Sequence, residues 1–473
     1  KLFPAPGSYR EIFSITLPLV ISTGSWTVMH FTDRIFLSWY SSDALAAALP
    51  AGVTNFAFLC FFLGTAGYVS TFVAQYFGSG QEKQIGRIVW QGLYFSVIAG
   101  IFLLLLIPLA NPLFNLIGHE EKVREMEKIY FRILCLGMIF QLFISVFSGF
   151  FIGLGKTRVV MLVNIAGAAF NIVLDYSLIF GKFGLPAWGI RGAASATVLA
   201  SVFTCSIFCF LYFLPFHRKR YHTLSGFGWN RNLFHRLMKF GLPNGVMFMV
   251  DLTAFTLFVL LVGRIGKTEL IASNITFNVN MVVFMPMIGF SMGASMLVGR
   301  YLGENRAHIA HLCVKRIFII TVIYMGVIVM SYIFLPGMYV RLYTLKKGAE
   351  ISADTRVMVV NLLRFVAFFS FFDAVNLILS GALRGAGDTR FVMGVMLLNS
   401  LVFIMAPVYY FCIVHDGGVY LAWIFFTIYI IALAVSFFFR YRGGKWKDMR
   451  VIEMKAPTVT PGPGALSESE MMR

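Results

Sequence analysis

Long apolar runs, separated by short polar or charged breaks, follow one another along most of the chain. A helix rises about 1.5 Å per residue, so a run of about 20 residues crosses the hydrocarbon core of a bilayer, which is roughly 30 Å thick. The pattern predicts an all-α polytopic membrane protein. Its twelve transmembrane helices are expected near 11–39, 45–76, 86–116, 126–153, 158–180, 188–214, 236–263, 270–301, 311–334, 356–383, 390–414 and 419–440.

Composition and charge agree with this class. Of the 473 residues 59% are hydrophobic and only 13% are charged, about half the charged share of soluble domains. The net charge of +18 comes from Lys and Arg in the short breaks, which indicates membrane topology and contact with anionic lipid, and not nucleic-acid binding. We expect a multi-pass protein of the plasma membrane (the inner membrane in a Gram-negative cell), and the positive-inside rule predicts that both termini lie in the cytoplasm. The first run continues past Asp33, so we expect it to be a membrane helix and not a cleaved signal peptide.

The sequence offers no enzyme chemistry. The six cysteines lie in or beside apolar runs with no CxxC pair and no Cys/His cluster, so neither disulfides nor zinc are expected. Walker and HExxH motifs are absent. We therefore expect a protein that is not an enzyme and that has no cofactor.

A basic segment after the sixth run divides the chain. We interpret 1–215 as an N-terminal six-helix lobe, 216–235 as a cytoplasmic basic linker and 236–440 as a C-terminal six-helix lobe. The remaining segment, 441–473, is basic and then rich in Pro, Gly and Ser, so we predict a disordered cytoplasmic tail.

The two halves repeat each other. One constant shift aligns Leu17-Pro18 with Leu242-Pro243, Asn55 with Asn280, and 76–78 (YFG) with 301–303 (YLG). Each half has an even number of helices, so both copies have the same orientation and are related by an axis along the membrane normal. The repeat predicts two pseudo-symmetric six-helix bundles around a central cleft.

Four isolated carboxylates lie inside apolar runs: Asp33, Asp175, Asp251 and Asp373. An ionised carboxylate at a helix centre costs roughly 2.5 to 3.5 kcal/mol even on the lenient insertion scale, so such residues are usually functional. The repeat pairs three of them with residues that are not acidic, which suggests an asymmetric task.

Helical spacing groups these acids with other polar residues. Asn171 and Asp175 share one helix face, and so do Asp373 and Asn376. The alternative interpretation is interhelical hydrogen bonding, worth about 0.6 to 2 kcal/mol per bond. His30, three residues before Asp33, is more typical of a packed histidine than of a proton relay.

These residues resemble the multidrug and toxic compound extrusion (MATE) family of secondary transporters, and within it the NorM-like branch, over nearly all of 11–440. The matching motifs are Pro18, 31–36 (FTDRIF), 171–176 (NIVLDY), 192–197 (GAASAT), 241–243 (GLP) with Asp251, and 372–385 (FDAVNLILSGALRG). The resemblance implies two six-helix lobes around a cleft, and export of amphipathic, mostly cationic drugs or toxins in exchange for Na⁺ or H⁺.

The resemblance also implies roles for particular residues. The cation site of the first lobe matches Asp33, Asn171, Asp175 and Thr197, and the acids of the second lobe match Asp251 and Asp373. Position 251 is commonly Glu in the NorM-like branch, and Asp is one methylene shorter. Pro18 matches the proline at which helix bending is proposed to act as the gate.

The residues leave the coupling ion open. Carboxylate, amide and hydroxyl oxygens suit Na⁺, and a buried carboxylate can equally exchange a proton. No other metal is expected. Small organic cations are the expected substrates, with Asn376 and the aromatic rings of Trp26, Phe248 and Phe369 as candidate cavity-lining groups. The protein is expected to function as a monomer in the lipid bilayer.

The alternative function is a lipid or lipid-linked oligosaccharide flippase of related fold. A flippase that handles anionic pyrophosphate carriers should line its cavity with Arg or Lys. The mid-span charges of this chain are acids, which favours cationic cargo.

Overall fold

The computed structural model describes residues 5–344 and 352–453, and within these ranges the chain is helical with no β-strand. The first lobe contains α1 (Tyr9–Tyr40), α2 (Ser42–Gly67), α3 (Val69–Gly78), α4 (Glu82–Leu104), α5 (Ala110–Ile117), α6 (Glu121–Gly153), α7 (Thr157–Phe180) and α8 (Ile190–Tyr212). After α9 (Pro215–Tyr221), the second contains α10 (Arg231–Ile265), α11 (Lys267–Gly303), α12 (Ala307–Phe334), α13 (Pro336–Thr344), α14 (Ala353–Ala386), α15 (Thr389–Asn399) and α16 (Gly418–Arg442). Two π-helical segments, Ser400–Met405 and Val408–Val414, continue α15.

Twelve of these units are long and apolar enough to cross a membrane, which confirms the predicted fold class. The boundaries agree with the prediction except in two spans. The second, expected as one helix over 45–76, is divided at Tyr68 into α2 and α3. The third is also broken. There α4 ends at Leu104 and α5 forms a separate short helix, although one helix was expected over 86–116. Pro108 and Pro112 lie in and after the break, and proline cannot donate the backbone hydrogen bond that would carry a helix through.

Proline does not interrupt α1. The helix runs through Pro18, whose missing N–H leaves the carbonyl of Ser14 without its usual helical partner. The hydroxyl of Thr157, at the start of α7, donates to this carbonyl at 3.4 Å. A neighbouring helix therefore stabilises the point at which α1 is weakest.

The two lobes meet along α1, α2 and α3 of the first and α10 and α11 of the second. Small residues bring the backbones together: a side chain at Gly64 on α2 would collide with the backbone of Gly245 on α10. The amide of Asn244 donates to the carbonyl of Gly64 at 2.6 Å. We call the end of the molecule that carries Tyr9, Arg231 and Arg442 the terminal end, and the opposite end the far end.

Interlobe hydrogen bonds lie on the terminal side of the molecule. The Tyr301 hydroxyl donates to the Glu11 carboxylate at 2.7 Å, and the Tyr68 hydroxyl donates to the carbonyl of Arg384 at 2.7 Å. The Gln75 amide donates to the carbonyl of Gly385 at 3.0 Å. Within the described residues, no interlobe hydrogen bond joins the far halves of these helices. The lobes are thus joined at the terminal end.

Residues 441–453 do not form the disordered tail that their composition suggested; the rest of that segment, 454–473, lies outside the described residues. Trp446, Val451 and Ile452 are buried. We call 445–453 the C-terminal clasp because it contacts both lobes. Its contacts with the first lobe are Val451 N to Gln75 Oε1 at 2.9 Å and Gln81 Nε2 to Glu453 O at 3.0 Å, and its contact with the second is Glu453 Oε1 to Arg236 Nη1 at 2.5 Å.

The basic segment 216–235 is also structured. Its last residues belong to α10, which begins at Arg231, and the preceding loop packs on α4 of the first lobe. There Trp90 Nε1 donates to the carbonyl of Thr223 at 2.7 Å, and Gln91 Nε2 donates to the carbonyl of Gly228 at 2.9 Å. The predicted linker therefore adheres to the first lobe.

A histidine anchors the start of this segment. His217 is buried, with Nε2 2.7 Å from Lys156 Nζ and Nδ1 2.8 Å from the carbonyl of Leu211. Burial and the nearby Lys156 ammonium lower the pKa of His217 below its usual value. Neutral His217 fits both contacts, because its Nδ1–H then donates to Leu211 while Nε2 accepts from Lys156.

Candidate functional site

The first of two carboxylate sites lies between α1 and α7. Asp33 is on α1, and Asn171 and Asp175 are one turn apart on α7, so they face α1 together. All three are buried, with 7% of Asp33 and 0% of Asp175 exposed. We call these residues the first-lobe site; helical spacing grouped its α7 pair, the family resemblance added Asp33, and the structure brings the three together.

The Asn171 amide bridges the two acids. In the orientation that satisfies its neighbours, its nitrogen donates to Asp33 Oδ1 at 3.0 Å and to Asp175 Oδ2 at 3.1 Å. The two carboxyl groups are also close enough to share a hydrogen bond. Two neighbouring carboxylates repel each other when both are ionised, so the arrangement favours binding of a proton or a small cation.

One ligand position of the first-lobe site is open. Asp175 Oδ1 is buried and has no hydrogen-bond partner among the described residues. A buried unpaired carboxylate oxygen is costly, so a cation or proton that binds here gains a partner that the protein does not supply. His30 is not a packed histidine: its side chain is 59% exposed, and its Nδ1 lies 3.9 Å from Asp33 Oδ2.

Two neighbours of the first-lobe site differ from expectation. Thr197 on α8 is half-buried, and its hydroxyl donates to Ala193 of its own helix at 3.1 Å, so the structure does not show it bonding to either acid. Tyr130 on α6, which the sequence did not single out, is buried within electrostatic range of both Asp33 and Asp175. A tyrosine in an apolar run is an ordinary packing residue, and only the fold brings it near the pair.

The second carboxylate site is formed by α10 and α14. Asp373 on α14 is buried, within hydrogen-bonding range of Asn376 one turn away and within electrostatic range of Asp251 on α10. Asp251 is exposed, and it makes no hydrogen bond or ion pair with any described residue. Cys60, on α2 of the first lobe, lies within electrostatic range of Asp251, so Asp251 is near the seam between the lobes. We call Asp251, Asp373 and Asn376 the second-lobe site.

Arg384 is the cation that faces this site. Its guanidinium lies within electrostatic range of Asp251, and its Nη2 donates to the Ser291 hydroxyl at 3.1 Å. Arg384 belongs to the motif 372–385, but nothing in the sequence links it to the acids, because it is eleven residues from Asp373 and far from Asp251 in the chain. It also comes directly after the predicted span 356–383, where basic residues are ordinary.

Tyr429 on α16 also faces the second-lobe site. Its hydroxyl is buried beside Ser400 and within electrostatic range of Asp251 and Asp373. It has no hydrogen-bond partner of good geometry among the described residues, so it is available to a ligand. Ser400 begins a π-helical segment, an irregularity that frequently accompanies functional sites.

The three candidate aromatic residues have different environments. Trp26 and Phe248 are exposed, and the Phe248 ring lies against Gly64 of the other lobe. Phe369 is only 1% exposed and packs between Trp423 and Phe426, with ring centroids at 6.5 and 5.7 Å. The interpretation of Phe369 as a cavity-lining ring is therefore wrong: it belongs to the aromatic core of the second lobe.

Neither site resembles a transition-metal centre. Within 5–344 and 352–453, no group of three or more His, Cys, Asp or Glu side chains is arranged to hold a metal ion. The first-lobe site offers two carboxylates and one amide, which are hard oxygen ligands for Na⁺ or carriers for a proton.

Comparison with known sequences gives a consistent result. The MatE family profile matches residues 18–177 and 243–410. The chain is 26% identical to the "Probable multidrug resistance protein NorM" of Thermotoga maritima, over 94% of this chain and 95% of that protein. It is 28% identical to the "Multidrug resistance protein NorM" of Burkholderia vietnamiensis, over 80% of this chain and 82% of that protein.

Solved structures share the fold. An outward-facing MATE family transporter of the MOP superfamily is 21% identical, with a TM-score of 0.84 over 93% of this chain and 97% of that one. A MOP superfamily transporter from Pyrococcus furiosus, described as having a binding pocket of reverse polarity, is 20% identical, with a TM-score of 0.83 over the same shares.

Proposed function

Because the chain belongs to the MatE family of membrane transporters, we propose that it is a secondary antiporter that exports amphipathic, mostly cationic drugs or toxins in exchange for Na⁺ or H⁺. The observation that carries this proposal is the contrast between two acid sites in one molecule. One is closed, hydrogen-bonded and short of one partner, and the other contains an exposed acid at the seam between the lobes.

The first-lobe site is suited to a coupling ion. Its buried carboxyl groups leave room for a proton or for a small ion that has lost its water, and a bulky organic cation would have to separate α1 from α7 to enter. Asn171 holds both carboxylates in place, and the free Asp175 Oδ1 supplies the oxygen that the ion engages.

The second-lobe site is suited to a larger cation. Asp251 is exposed and Asp373 stands behind it, so an amine or quaternary ammonium can approach Asp251 without displacing packed side chains. The exposed ring of Phe248, one turn before Asp251 on α10, can add a cation–π contact of about 0.5 to 2 kcal/mol. An incoming cation would compete with Arg384 for the charge of Asp251.

Alternating access follows from how the lobes are joined. We assign the terminal end to the cytoplasm, where the positive-inside rule places both termini of this plasma-membrane protein. Interlobe hydrogen bonds on that side would hold the cleft closed to the cytoplasm and open toward the far end. Ion binding drives the cycle only if the ion binds the inward-open and outward-open states with unequal affinity. The helix whose conformation the ion and the substrate could both change is α1, which is weakened at Pro18. One chain holds both sites, so a monomer suffices.

The flippase alternative receives less support. An anionic pyrophosphate carrier needs an excess of positive charge in the cavity. Arg384 is the cation that faces the second-lobe site, but two acids oppose it, and its guanidinium already donates to Ser291. With both acids ionised, the balance of charge favours a cation.

Transport by purified protein in lipid vesicles tests the proposal. A fluorescent organic cation should be exported when a Na⁺ or an H⁺ gradient is imposed, and the gradient that sustains export while the other is collapsed identifies the ion. The matched control is Asp416→Asn, at an exposed acid in a far-end loop, which should transport like the parent. Export that is indifferent to both gradients would contradict the antiport mechanism.

A further inference from the structure

A groove of about 560 Å³ lies between α14 and α16, away from both acid sites. Its polar end is formed by Asn361, Arg364 and Tyr420. Its apolar walls include Phe365 and Phe368 on α14 and three isoleucines on α16, Ile424, Ile428 and Ile431. The groove thus has a positively charged end and long apolar walls.

The groove faces outward from the lobe. On the opposite sides of the same helices, Phe369 and Trp423 are buried and pack against each other, and these sides form the protein core. Arg364, Phe368 and Ile424 are exposed. Since α14 and α16 both cross the membrane, a groove on their outward side is in contact with lipid.

The depth of the groove matches one leaflet. Arg364 and Tyr420 each lie twenty residues before a basic residue at the terminal end, Arg384 on α14 and Arg440 on α16. Twenty residues of helix span about 30 Å, the thickness of the hydrocarbon core, so the polar end of the groove lies at the far-end interface. Ile431 is eleven residues further along α16 than Tyr420, or about 16 Å, near the bilayer midplane.

Arg364 lacks a counter-ion. Its Nη1 is 3.4 Å from Asn361 Oδ1, a weak contact with a neutral group, and Asn361 in turn donates to the Tyr420 hydroxyl at 3.2 Å. Among the described residues no carboxylate lies within 4 Å of it. A guanidinium is always charged and pairs best with carboxylate or phosphate oxygens.

We propose that this groove binds one anionic phospholipid of the leaflet at the far end. Arg364 pairs with the phosphate while Asn361 and Tyr420 offer hydrogen bonds to the headgroup, and one acyl chain lies along the isoleucines toward Ile431. The charge of Arg364 selects for an anionic headgroup, and the apolar walls select for a lipid over a free phosphate.

Native mass spectrometry of the full chain in detergent tests this, with phosphatidylglycerol and phosphatidylcholine as the probes. The parent should retain one phosphatidylglycerol that Arg364→Gln binds about tenfold more weakly, because one charge-assisted contact is lost. Arg364→Lys should lie between them. The matched control is Arg356→Gln, an exposed arginine two to three turns earlier on α14, which should bind like the parent.

A second variant probes the apolar walls. Ile428→Trp fills the groove without changing its charge, so it should also lose the bound lipid, and its melting temperature without added lipid shows whether it folds. The proposal is overturned if Arg364→Gln binds phosphatidylglycerol as the parent does, if phosphatidylcholine binds equally well, or if free glycerol phosphate competes as effectively as the lipid.

Discussion

Each of the two carboxylate sites of this molecule contains two aspartates and one asparagine, but the two sites differ in burial. In the first-lobe site, Asp33 and Asp175 are buried, in contact with each other and bridged by Asn171. In the second-lobe site, Asp251 is exposed and its nearest balancing charge is the guanidinium of Arg384 on another helix. In the function proposed above, burial and a shared amide suit the first site to a bare ion, whereas exposure and a side-chain counter-ion suit the second to larger ligands.

The largest effect is expected at the first-lobe site. Asp175→Asn removes one of two carboxylates, and with it the negative charge of the free oxygen proposed to meet the ion. A charged hydrogen bond contributes about 1.5 to 3 kcal/mol, so gradient-driven export should fall roughly 10- to 150-fold. The measurement is the initial rate of export of a fluorescent organic cation from vesicles. Full gradient dependence in Asp175→Asn and Asp33→Asn would show that coupling occurs elsewhere.

The second prediction concerns the open site. Asp251→Asn should weaken binding of an organic cation about tenfold, since one ionic contact of about 1.4 kcal/mol is lost. Binding of the coupling ion should be unchanged because the first-lobe site is untouched. Equilibrium binding of the fluorescent cation measures the first quantity, and the Na⁺ or H⁺ dependence of transport measures the second. Unchanged cation affinity in both Asp251→Asn and Asp373→Asn would remove these acids from the substrate site.

A smaller effect, of opposite sign, is expected at Arg384. Arg384→Gln removes the charge that competes for Asp251, so organic cations should bind about threefold more tightly. The matched control is Ser291→Ala, which removes the hydrogen-bond partner of the guanidinium and keeps its charge, and should leave affinity near that of the parent. Weaker binding in Arg384→Gln would show that the guanidinium supports the site and does not compete with the ligand.

The smallest effect is a pH dependence of stability that arises at His217, outside both sites. It has to be subtracted when transport is measured as a function of pH. The pKa of His217 is lower in the folded chain than in the unfolded chain. As the pH decreases through about 6.5, the unfolded chain therefore takes up a proton first, and the free energy of unfolding decreases. Between pH 7.5 and 5.5 the melting temperature should drop by about 1 to 2 °C more in the parent than in His217→Gln. Equal pH dependence in the two proteins would show that His217 does not titrate in this range.

Hydropathy was sufficient to predict the helices, and the reason is physical. A lipid-spanning segment must be apolar along its whole length and satisfy its own backbone, so each helix is visible locally in the sequence. The same logic found Asp33, Asp175, Asp251 and Asp373, because a charge inside such a segment is costly wherever it points.

What depended on tertiary neighbours was not predictable. The sequence could not show that Phe369 points into an aromatic core or that Tyr130 approaches two acids. The composition of 441–473 predicted a disordered tail because its end is rich in Pro and Gly. Trp446 and Val451 are nevertheless buried, against partners from helices that are distant in the sequence. Periodicity alone also could not pair acids from different helices, and only the family resemblance grouped Asp33 with Asp175 and Asp251 with Asp373.

The C-terminal clasp gives the transporter a latch made of its own chain. The clasp contacts Gln75 and Gln81 of one lobe and Arg236 of the other. The lobes can therefore separate at that end only after the clasp has released its contacts with one of them. The opening rate there is then set in part by these few polar contacts and not only by the bilayer. A chain that stops at Arg442 should cycle faster and seal less tightly.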